Sequence, residues 1–173
     1  MNILIYNGRG VSSESLAHTL TSLKKYLGAQ YDVRPITADS LRGEPWEGNC
    51  SLLVFPGGRD LPWTEELSGV AVQRIRNWIR SGKGRYLGIC AGAYFACNQV
   101  VFGQGTALEI NGPRELQLCP AVGRGCLYGD FAYDSDQGAR ALSLRMEDSG
   151  KLVDFYYNGG CWFDFGGVAA SFR

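Results

Sequence analysis

The first half of the chain alternates short runs of strand length with segments of helical periodicity. Residues 3–6, 52–55 and 85–89 are such runs, and each ends at a glycine-containing turn or at a cysteine. Residues 16–27 and 70–80 repeat apolar side chains every three or four positions, which is typical of helices that pack on one face. This alternation predicts right-handed crossovers and a mostly parallel sheet with helices on both faces.

The second half of the chain has a different pattern. After about residue 100, short β-like runs at residues 116–119, 141–144 and 152–157 are separated by glycines. We expect antiparallel or irregular strands, such as β-hairpins, in this half. The 173 residues contain no repeat, low-complexity tract or linker, so the sequence predicts a single α/β domain over residues 1–173.

Charge and hydropathy exclude two classes of partner. The 17 basic and 17 acidic residues cancel, so nucleic acid is not an expected partner. No apolar run reaches the roughly 20 residues that a membrane span requires. Residues 3–6 look like a strand rather than part of a signal peptide. We therefore expect a protein that does not associate with membranes.

The cysteines and glycines indicate neither a metal nor a cofactor. The six cysteines form no CxxC pair, which argues against a metal site and favours a reduced, cytoplasmic protein. The alternative is secretion after removal of a signal peptide, since Asn49-Cys50-Ser51 has the form of a glycosylation sequon. Gly8 and Gly10 do not complete a dinucleotide-binding loop, because Ser13 replaces its third glycine.

The segment Gly88-Ile89-Cys90-Ala91-Gly92 is the thiol version of the G-x-S-x-G nucleophile elbow. In such an elbow a strained turn between strand and helix exposes the nucleophile, and small neighbours allow the sharp bend. Because a helix is predicted to begin after Cys90, its N-terminus is expected to lower the pKa of the thiol, and Cys90 is the candidate catalytic nucleophile. The Ala91 N–H and an N–H from the Gly57-Gly58 turn are predicted to form an oxyanion hole.

Together with other motifs, the elbow and the glycine turn resemble the amidotransferase-like N-terminal region of eukaryotic, especially fungal, biotin-protein ligases. The matching stretches span almost the whole chain and are residues 6–10, 55–62, 88–95, 138–140 and 156–160. The resemblance implies the flavodoxin-like, doubly wound fold of the class I glutamine amidotransferase superfamily. The chain is then expected to be one amidotransferase-like domain.

Three departures from the family pattern bear on activity. Class I amidotransferases carry glutamine two residues after the second elbow glycine, where it helps to hold the substrate, and Tyr94 stands there in this chain. The superfamily's triad is completed by a His-x-Glu pair near the C-terminal end, and residues 161–173 contain no histidine. Residues 123–126 match the ligase's biotinyl-adenylate loop only superficially, so biotin ligation by this chain is not expected.

Few residues could replace the missing histidine. The single histidine, His18, lies about 200° around the first helix from its apolar stripe and is expected to face solvent. Asp60, Glu14 or Glu65 could border the elbow, because loops after parallel strands meet at one edge of the sheet. Asn158 lies in a glycine-flanked turn and is a candidate polar orienter for the thiol, but it cannot act as a base.

Three functions are compatible with these residues. The first is a non-catalytic binding or regulatory module that holds a small molecule or a protein partner in a pocket at Cys90, beside Tyr94. The second is a cysteine hydrolase or amidase that uses Cys90, the N–H groups of Ala91 and Gly58, and a non-standard base. The third is a thiol redox sensor in which Cys97 resolves an oxidised Cys90.

Overall fold

A parallel β-sheet forms the centre of the structure, a computed structural model that describes residues 1–166. Its strands are β1 (Asn2–Tyr6), β2 (Asp32–Ile36), β3 (Cys50–Phe55) and β4 (Tyr86–Gly88), in the order β2-β1-β3-β4. Every neighbouring pair in this sheet is parallel, and a helix lies in each connection between consecutive strands. The α/β fold and the parallel sheet expected from the sequence are confirmed.

Within residues 1–166 the chain forms five α-helices and one short 3₁₀-helix (Glu47–Asn49). The α-helices are α1 (Ser13–Leu27), α2 (Ala38–Gly43), α3 (Leu61–Glu66), α4 (Val70–Arg80) and α5 (Ala91–Ala96). The Ser12 hydroxyl accepts a hydrogen bond from the Ser15 N–H at 3.3 Å and thereby caps the start of α1, and Gly28 ends that helix. None of these helices is both long and apolar enough to cross a membrane.

Both faces of the parallel sheet are buried. In β1, Ile3 and Ile5 pack with the leucines of α1, whereas Leu4 and Tyr6 belong to the core on the opposite face. On that second face Tyr6 stacks on Phe55, with ring centroids 4.8 Å apart. Because successive side chains of a strand point to opposite faces, burial on both faces explains the nearly continuous apolar runs of β1 and β3.

The second half of the described chain forms a mixed sheet and a separate hairpin. The mixed sheet contains β5 (Cys97–Phe102), β6 (Ile110–Pro113), β7 (Cys119–Gly125) and β10 (Trp162–Asp164), in the order β10-β7-β5-β6. Its neighbouring strands are antiparallel except for β5 and β7, which are parallel, a pairing that the sequence pattern does not predict. Strands β8 (Arg140–Arg145) and β9 (Leu152–Tyr157) form an antiparallel hairpin of the expected kind.

The strand expected at residues 116–119 begins instead at Cys119. Leu116 is fully buried in the main core, and its carbonyl oxygen accepts a hydrogen bond from Arg76 Nε of α4 at 3.1 Å. The apolar residues just before β7 therefore pack the connecting segment onto the helical layer. A short apolar run does not distinguish this role from that of a strand.

Candidate functional site

Cys90 lies between β4 and α5, at the turn where the elbow motif places it. Its backbone has φ 51° and ψ −108°, a conformation that non-glycine residues rarely adopt. Backbone hydrogen bonds hold the turn. Among them, the Ile89 N–H donates to the Phe55 carbonyl oxygen and the Ala93 N–H donates to the Cys90 carbonyl oxygen, both at 2.9 Å. Backbone strain of this kind is concentrated at functional sites, where the surrounding structure maintains it.

The two glycines of the elbow are required by space. A Cβ at Gly88 would lie 2.5 Å from the Gly92 carbonyl oxygen, and a Cβ at Gly92 would lie 2.1 Å from the Phe55 carbonyl oxygen. Neither distance is possible without moving backbone. The G-x-C-x-G spacing is therefore a packing requirement, because β3, β4 and α5 approach one another closely at this turn.

The Cys90 thiol has the hydrogen-bond partners of a neutral thiol. The backbone N–H groups of Ala91 and Gly58 donate to its sulfur. Its S–H in turn donates to the carbonyl oxygen of Asn158, with 3.9 Å between sulfur and oxygen. This carbonyl stabilises the protonated form, since a thiolate would face the partial negative charge of the oxygen.

Burial decides the charge state of this thiol. Desolvation raises the pKa of Cys90, and hydrogen bonds from the Ala91 and Gly58 N–H groups offset only part of that effect. Cys126 and Asp60 raise the pKa further. The expected lowering of the pKa by a helix N-terminus is therefore wrong. Helix α5 has only six residues, and its dipole is outweighed by the loss of water around the sulfur.

A small cleft opens beside Cys90. The space open to the centres of water molecules is about 20 Å³, which is room for one or two waters. Its polar side is formed by Gly58, Asp60, Cys90 and Ala91. Its other walls are mostly apolar or aromatic and are formed by Tyr94, Val100, Phe102, Ile110, Phe131, Tyr133 and Gly159. In this conformation the cleft is too small for a ligand the size of an amino acid.

The two N–H groups of the Gly57-Gly58 turn have different partners. The Gly57 N–H donates to Ser15 Oγ at 2.7 Å and is thereby occupied, whereas the Gly58 N–H donates to the Cys90 sulfur. Glycine is required at position 58, because its φ is 145° and a Cβ there would lie 2.1 Å from the Gly10 carbonyl oxygen. This role of Ser15 is not predicted from the sequence. It could have been suggested by the position of a hydroxyl in the first turn of α1, since that turn lies at the sheet edge where the loops after the parallel strands meet.

Asp60 borders the cleft, but its carboxylate is engaged. Arg114 donates through Nε to Asp60 Oδ2 at 2.6 Å and through Nη2 to Oδ1 at 3.4 Å. The two side chains are 2% and 9% exposed, so they form a buried ion pair. Sequence reasoning missed Arg114, which lies 54 positions from its partner. The other two carboxylates, Glu14 and Glu65, are exposed, and Glu65 pairs with Arg9 at 3.8 Å.

Tyr94 is buried in the wall of the cleft, and its hydroxyl donates to the Gly159 carbonyl oxygen at 3.0 Å. Its ring lies against two glycines of β7. A Cβ at Gly123 would lie 3.2 Å from Tyr94 Cδ1, and a Cβ at Gly125 would lie 1.7 Å from the Tyr94 hydroxyl oxygen. These two glycines form a slot for the ring, which gives residues 123–126 a structural role.

Asn158 meets Cys90 through its backbone and not through its side chain. Its Nδ2 donates to the Ser135 carbonyl oxygen at 3.0 Å and to the Tyr156 hydroxyl at 3.3 Å. Its Oδ1 is buried and has no hydrogen-bond partner among residues 1–166. His18 lies exposed on α1, as expected, and is not among the residues that line the cleft.

Cys97 is fully buried at the start of β5. Its thiol donates to the Ala93 carbonyl oxygen at 3.4 Å, and burial raises its pKa to about 12. Its neighbour in the β5–β7 register is Cys119, which raises the pKa of the Cys97 thiol further. The residue opposite Cys97 in the neighbouring strand is Cys119 and not Cys90. Redox sensing through Cys90 and Cys97 stays a prediction.

Sequence comparison places this chain among known proteins. Residues 1–170 match the family described as "Biotin-protein ligase, N terminal". The biotin–protein ligase of Schizosaccharomyces pombe is 38% identical over 164 residues, which cover 92% of this chain and 26% of that ligase. An uncharacterized protein of Chlamydia muridarum is 39% identical over 165 residues, which cover 94% of this chain and 63% of that protein. The chain thus spans about a quarter of the first relative and less than two thirds of the second.

Comparison with solved structures gives the fold. A crystal structure of glutamine amidotransferase matches with a TM-score of 0.57 and 15% sequence identity, over 94% of this chain and 71% of that chain. At this identity the similarity concerns the fold alone. It confirms the amidotransferase-like architecture, and the sequence matches confirm the resemblance to the ligases. The chain therefore belongs to the biotin-protein ligase N-terminal family.

Proposed function

We propose that this chain is a non-catalytic binding or regulatory module, which uses the cleft at Cys90 to hold a small molecule or part of a protein partner. The observation that carries this proposal is the burial of the Cys90 thiol in this cleft, beside the Asn158 carbonyl oxygen that accepts its S–H. Loss of water around the sulfur raises the pKa of the thiol and favours its protonated form, which is a poor nucleophile.

Catalysis by a thiol requires a base that removes the thiol proton and returns a proton to the leaving group. The position in front of the Cys90 S–H is held by a carbonyl oxygen, which accepts a hydrogen bond without taking up the proton. Among the described residues that line the cleft, the one carboxylate is Asp60, and it is paired with Arg114.

The cleft retains features of a binding site in the absence of a base. Gly58 and Ala91 bring backbone N–H groups to one side, while Phe102, Phe131 and Tyr133 provide an aromatic wall. Ligand pockets usually combine mostly apolar walls with a few fixed polar groups. Because the S. pombe relative is a biotin–protein ligase, we further propose that the module regulates or accompanies biotin–protein ligation without performing it.

The pH dependence of Cys90 alkylation tests the proposal. Iodoacetamide labelling of the folded protein, measured for each cysteine by peptide mass spectrometry, gives the pH at which Cys90 reacts at half its maximal rate. Cys90→Ser identifies the relevant peptide. We expect a midpoint above the value of about 8.5 for an unperturbed cysteine, because the cleft stabilises the protonated thiol. A midpoint at or below that of free cysteine would contradict the proposal.

A cysteine hydrolase or amidase is the second candidate, because the N–H groups of Ala91 and Gly58 converge on the elbow. In such an enzyme they would stabilise the oxyanion of a tetrahedral intermediate. Incubation with an activated ester, followed by intact mass measurement, separates the two candidates. An acyl-thioester that forms on the wild-type protein, is absent from Cys90→Ser and turns over would favour the hydrolase.

A further inference from the structure

Residues 158–160, here named the strap, lie across the Cys90 cleft. Their three carbonyl oxygens each accept a hydrogen bond from a side chain. The Asn158 oxygen accepts the Cys90 S–H at 3.9 Å, and the Gly159 oxygen accepts the Tyr94 hydroxyl at 3.0 Å. The Gly160 oxygen accepts the Tyr157 hydroxyl at 2.8 Å. With the strap in this position, about 20 Å³ of the cleft is open to water centres.

Tyr94 belongs to the fixed side of this contact. It lies on α5, directly after the elbow, and its ring occupies the slot formed by Gly123 and Gly125 of β7. Any side chain at position 125 would occupy the position of the Tyr94 hydroxyl. The slot therefore fixes the ring and aims the hydroxyl at the Gly159 carbonyl oxygen.

The strap belongs to the side that can move. It joins β9 to β10. Within residues 1–166 the strands β8 and β9 pair only with each other, whereas β10 pairs with β7, so the β10 end of the strap is anchored and its hairpin end is not. Most side chains of this hairpin are exposed. Gly159 has φ 73°, a conformation that glycine adopts without strain, so two consecutive glycines give the strap backbone freedom to change conformation.

The closed position of the strap also has an energetic cost. The Asn158 Oδ1 atom is buried without a hydrogen-bond partner among the described residues. A buried acceptor that lacks a donor destabilises the state in which it is buried, and exposure to water relieves that cost. The closed strap is therefore held by a small number of hydrogen bonds, which include one from the Leu127 N–H to the Gly160 carbonyl oxygen at 3.4 Å, and is opposed by the cost of the buried Asn158 oxygen. A segment in this situation opens locally.

We propose that the strap is a movable cover of the Cys90 cleft and that the Tyr94 hydroxyl holds it closed. This inference rests on the proposed binding function, since it concerns access to the same cleft. Tyr94 is a positioning residue here, at the place where amidotransferases carry a glutamine that helps to hold the substrate. A ligand of amino-acid size enters only when the strap opens. Its apparent affinity is therefore its affinity for the open state multiplied by the fraction of molecules in which the strap is open.

The substitution Tyr94→Phe tests this inference, because it removes the hydroxyl and leaves the ring in its slot. Cys90 labelling by iodoacetamide at one fixed pH, measured by peptide mass spectrometry, reports how often the strap opens. Loss of one hydrogen bond to the strap should increase the Cys90 labelling rate by about 2- to 13-fold, the range expected from the net contribution of such a bond to stability.

Two controls separate opening of the strap from general destabilisation. Cys50, which is 1% exposed in the core, is labelled only when the domain unfolds, so its rate reports the loss of global stability. It should rise in any variant that loses a hydrogen bond of the folded state, because the unfolded chain lacks that bond too. Tyr86→Phe removes a comparable hydroxyl, which donates to the Gly92 carbonyl oxygen at 2.7 Å and does not contact the strap. Cys90 labelling should rise in Tyr94→Phe and stay unchanged in Tyr86→Phe, although Cys50 labelling rises in both.

A second variant acts on the strap itself. In Gly159→Ala the new Cβ would lie 2.6 Å from Phe131 Cε2 at a positive φ, so the strap cannot close and Cys90 labelling should rise further than in Tyr94→Phe. Unchanged Cys90 labelling in both Tyr94→Phe and Gly159→Ala, or a rise of Cys90 labelling in Tyr86→Phe as large as that in Tyr94→Phe, would overturn the inference. The proposed function is tested by a different measurement, the pH midpoint of Cys90 alkylation in the wild-type protein. Failure of the inference and failure of the proposed function can therefore be distinguished.

Discussion

The buried ion pair beside the cleft provides a quantitative test of how the site is held together. Arg114 and Asp60 are 2% and 9% exposed and are joined by a contact of 2.6 Å. Arg114→Met would leave the Asp60 carboxylate buried without a partner. Removing one member of a buried pair destabilises a protein by about 3–5 kcal/mol, mostly because an uncompensated charge is left in a medium of low polarity. We expect a loss of this size in the free energy of unfolding.

The double variant shows whether that loss comes from the unpaired charge. Asp60→Asn alone should also destabilise the domain, because the Arg114 guanidinium then lacks its counter-ion. The two substitutions together should cost less than the sum of the single ones, with a coupling energy of about 0.5–3 kcal/mol. Urea unfolding followed by the fluorescence of the four tryptophans gives all three values, provided that the m-value stays constant.

A surface pair serves as the matched control. Arg9 and Glu65 lie 3.8 Å apart, and their side chains are 69% and 72% exposed. Arg9→Met should change the free energy of unfolding by less than about 1 kcal/mol, because water screens this pair. If Arg114→Met cost no more than Arg9→Met, or if the Asp60 and Arg114 substitutions were additive, the interpretation of the buried pair would be refuted.

Three further predictions concern the elbow, pH and the core. Gly92→Ala should abolish folding or strongly destabilise the domain in urea, because its Cβ would lie 2.1 Å from a carbonyl oxygen of β3, whereas Gly43→Ala, with no atom within 4 Å, should be tolerated. Burial raises the pKa of Cys50 to about 11, whereas the thiol of the unfolded chain deprotonates at about pH 8.5. Between these two pH values the unfolded chain binds fewer protons than the folded one, so the free energy of unfolding should fall by about 1.4 kcal/mol per pH unit for each such thiol. Urea unfolding at a series of pH values measures this slope. Tyr6→Phe removes a hydroxyl that donates to Glu66 at 2.5 Å and should cost about 1.5–3 kcal/mol by the same assay, the range for a hydrogen bond to a charged group.

Several features of the fold and site could be predicted because they are local. The spacing of apolar residues over a short window is enough to predict that β1 is a strand and α1 a helix. Ser12 and Gly28 mark the two ends of that helix. The elbow glycines lie two positions on either side of Cys90, so the sequence contains the steric reason for the turn. The same applies to His18, whose helical position already indicated exposure to solvent.

Other features could not be predicted because their partners lie far apart in the sequence. Strand β5 pairs in parallel with β7, although β6 lies between them in the sequence. Short apolar runs do not indicate which strands will be neighbours. Arg114 reaches Asp60 across 54 positions, and Tyr94 reaches Gly159 across 65. Hydrophobic periodicity is a property of short windows and contains no information on contacts at such separations.

The sequence by itself determined a strand, a strained turn and a short helix with Cys90 at the turn, together with the family of the chain. Steric exclusion makes this unit local, since glycines on both sides of the cysteine permit only a few backbone conformations. Tertiary structure decided the protonation of the thiol. Its pKa is raised because packing removes water from the sulfur, and the strap brings the Asn158 carbonyl oxygen to the S–H from 68 positions away. Burial and long-range contacts exist only in the folded chain.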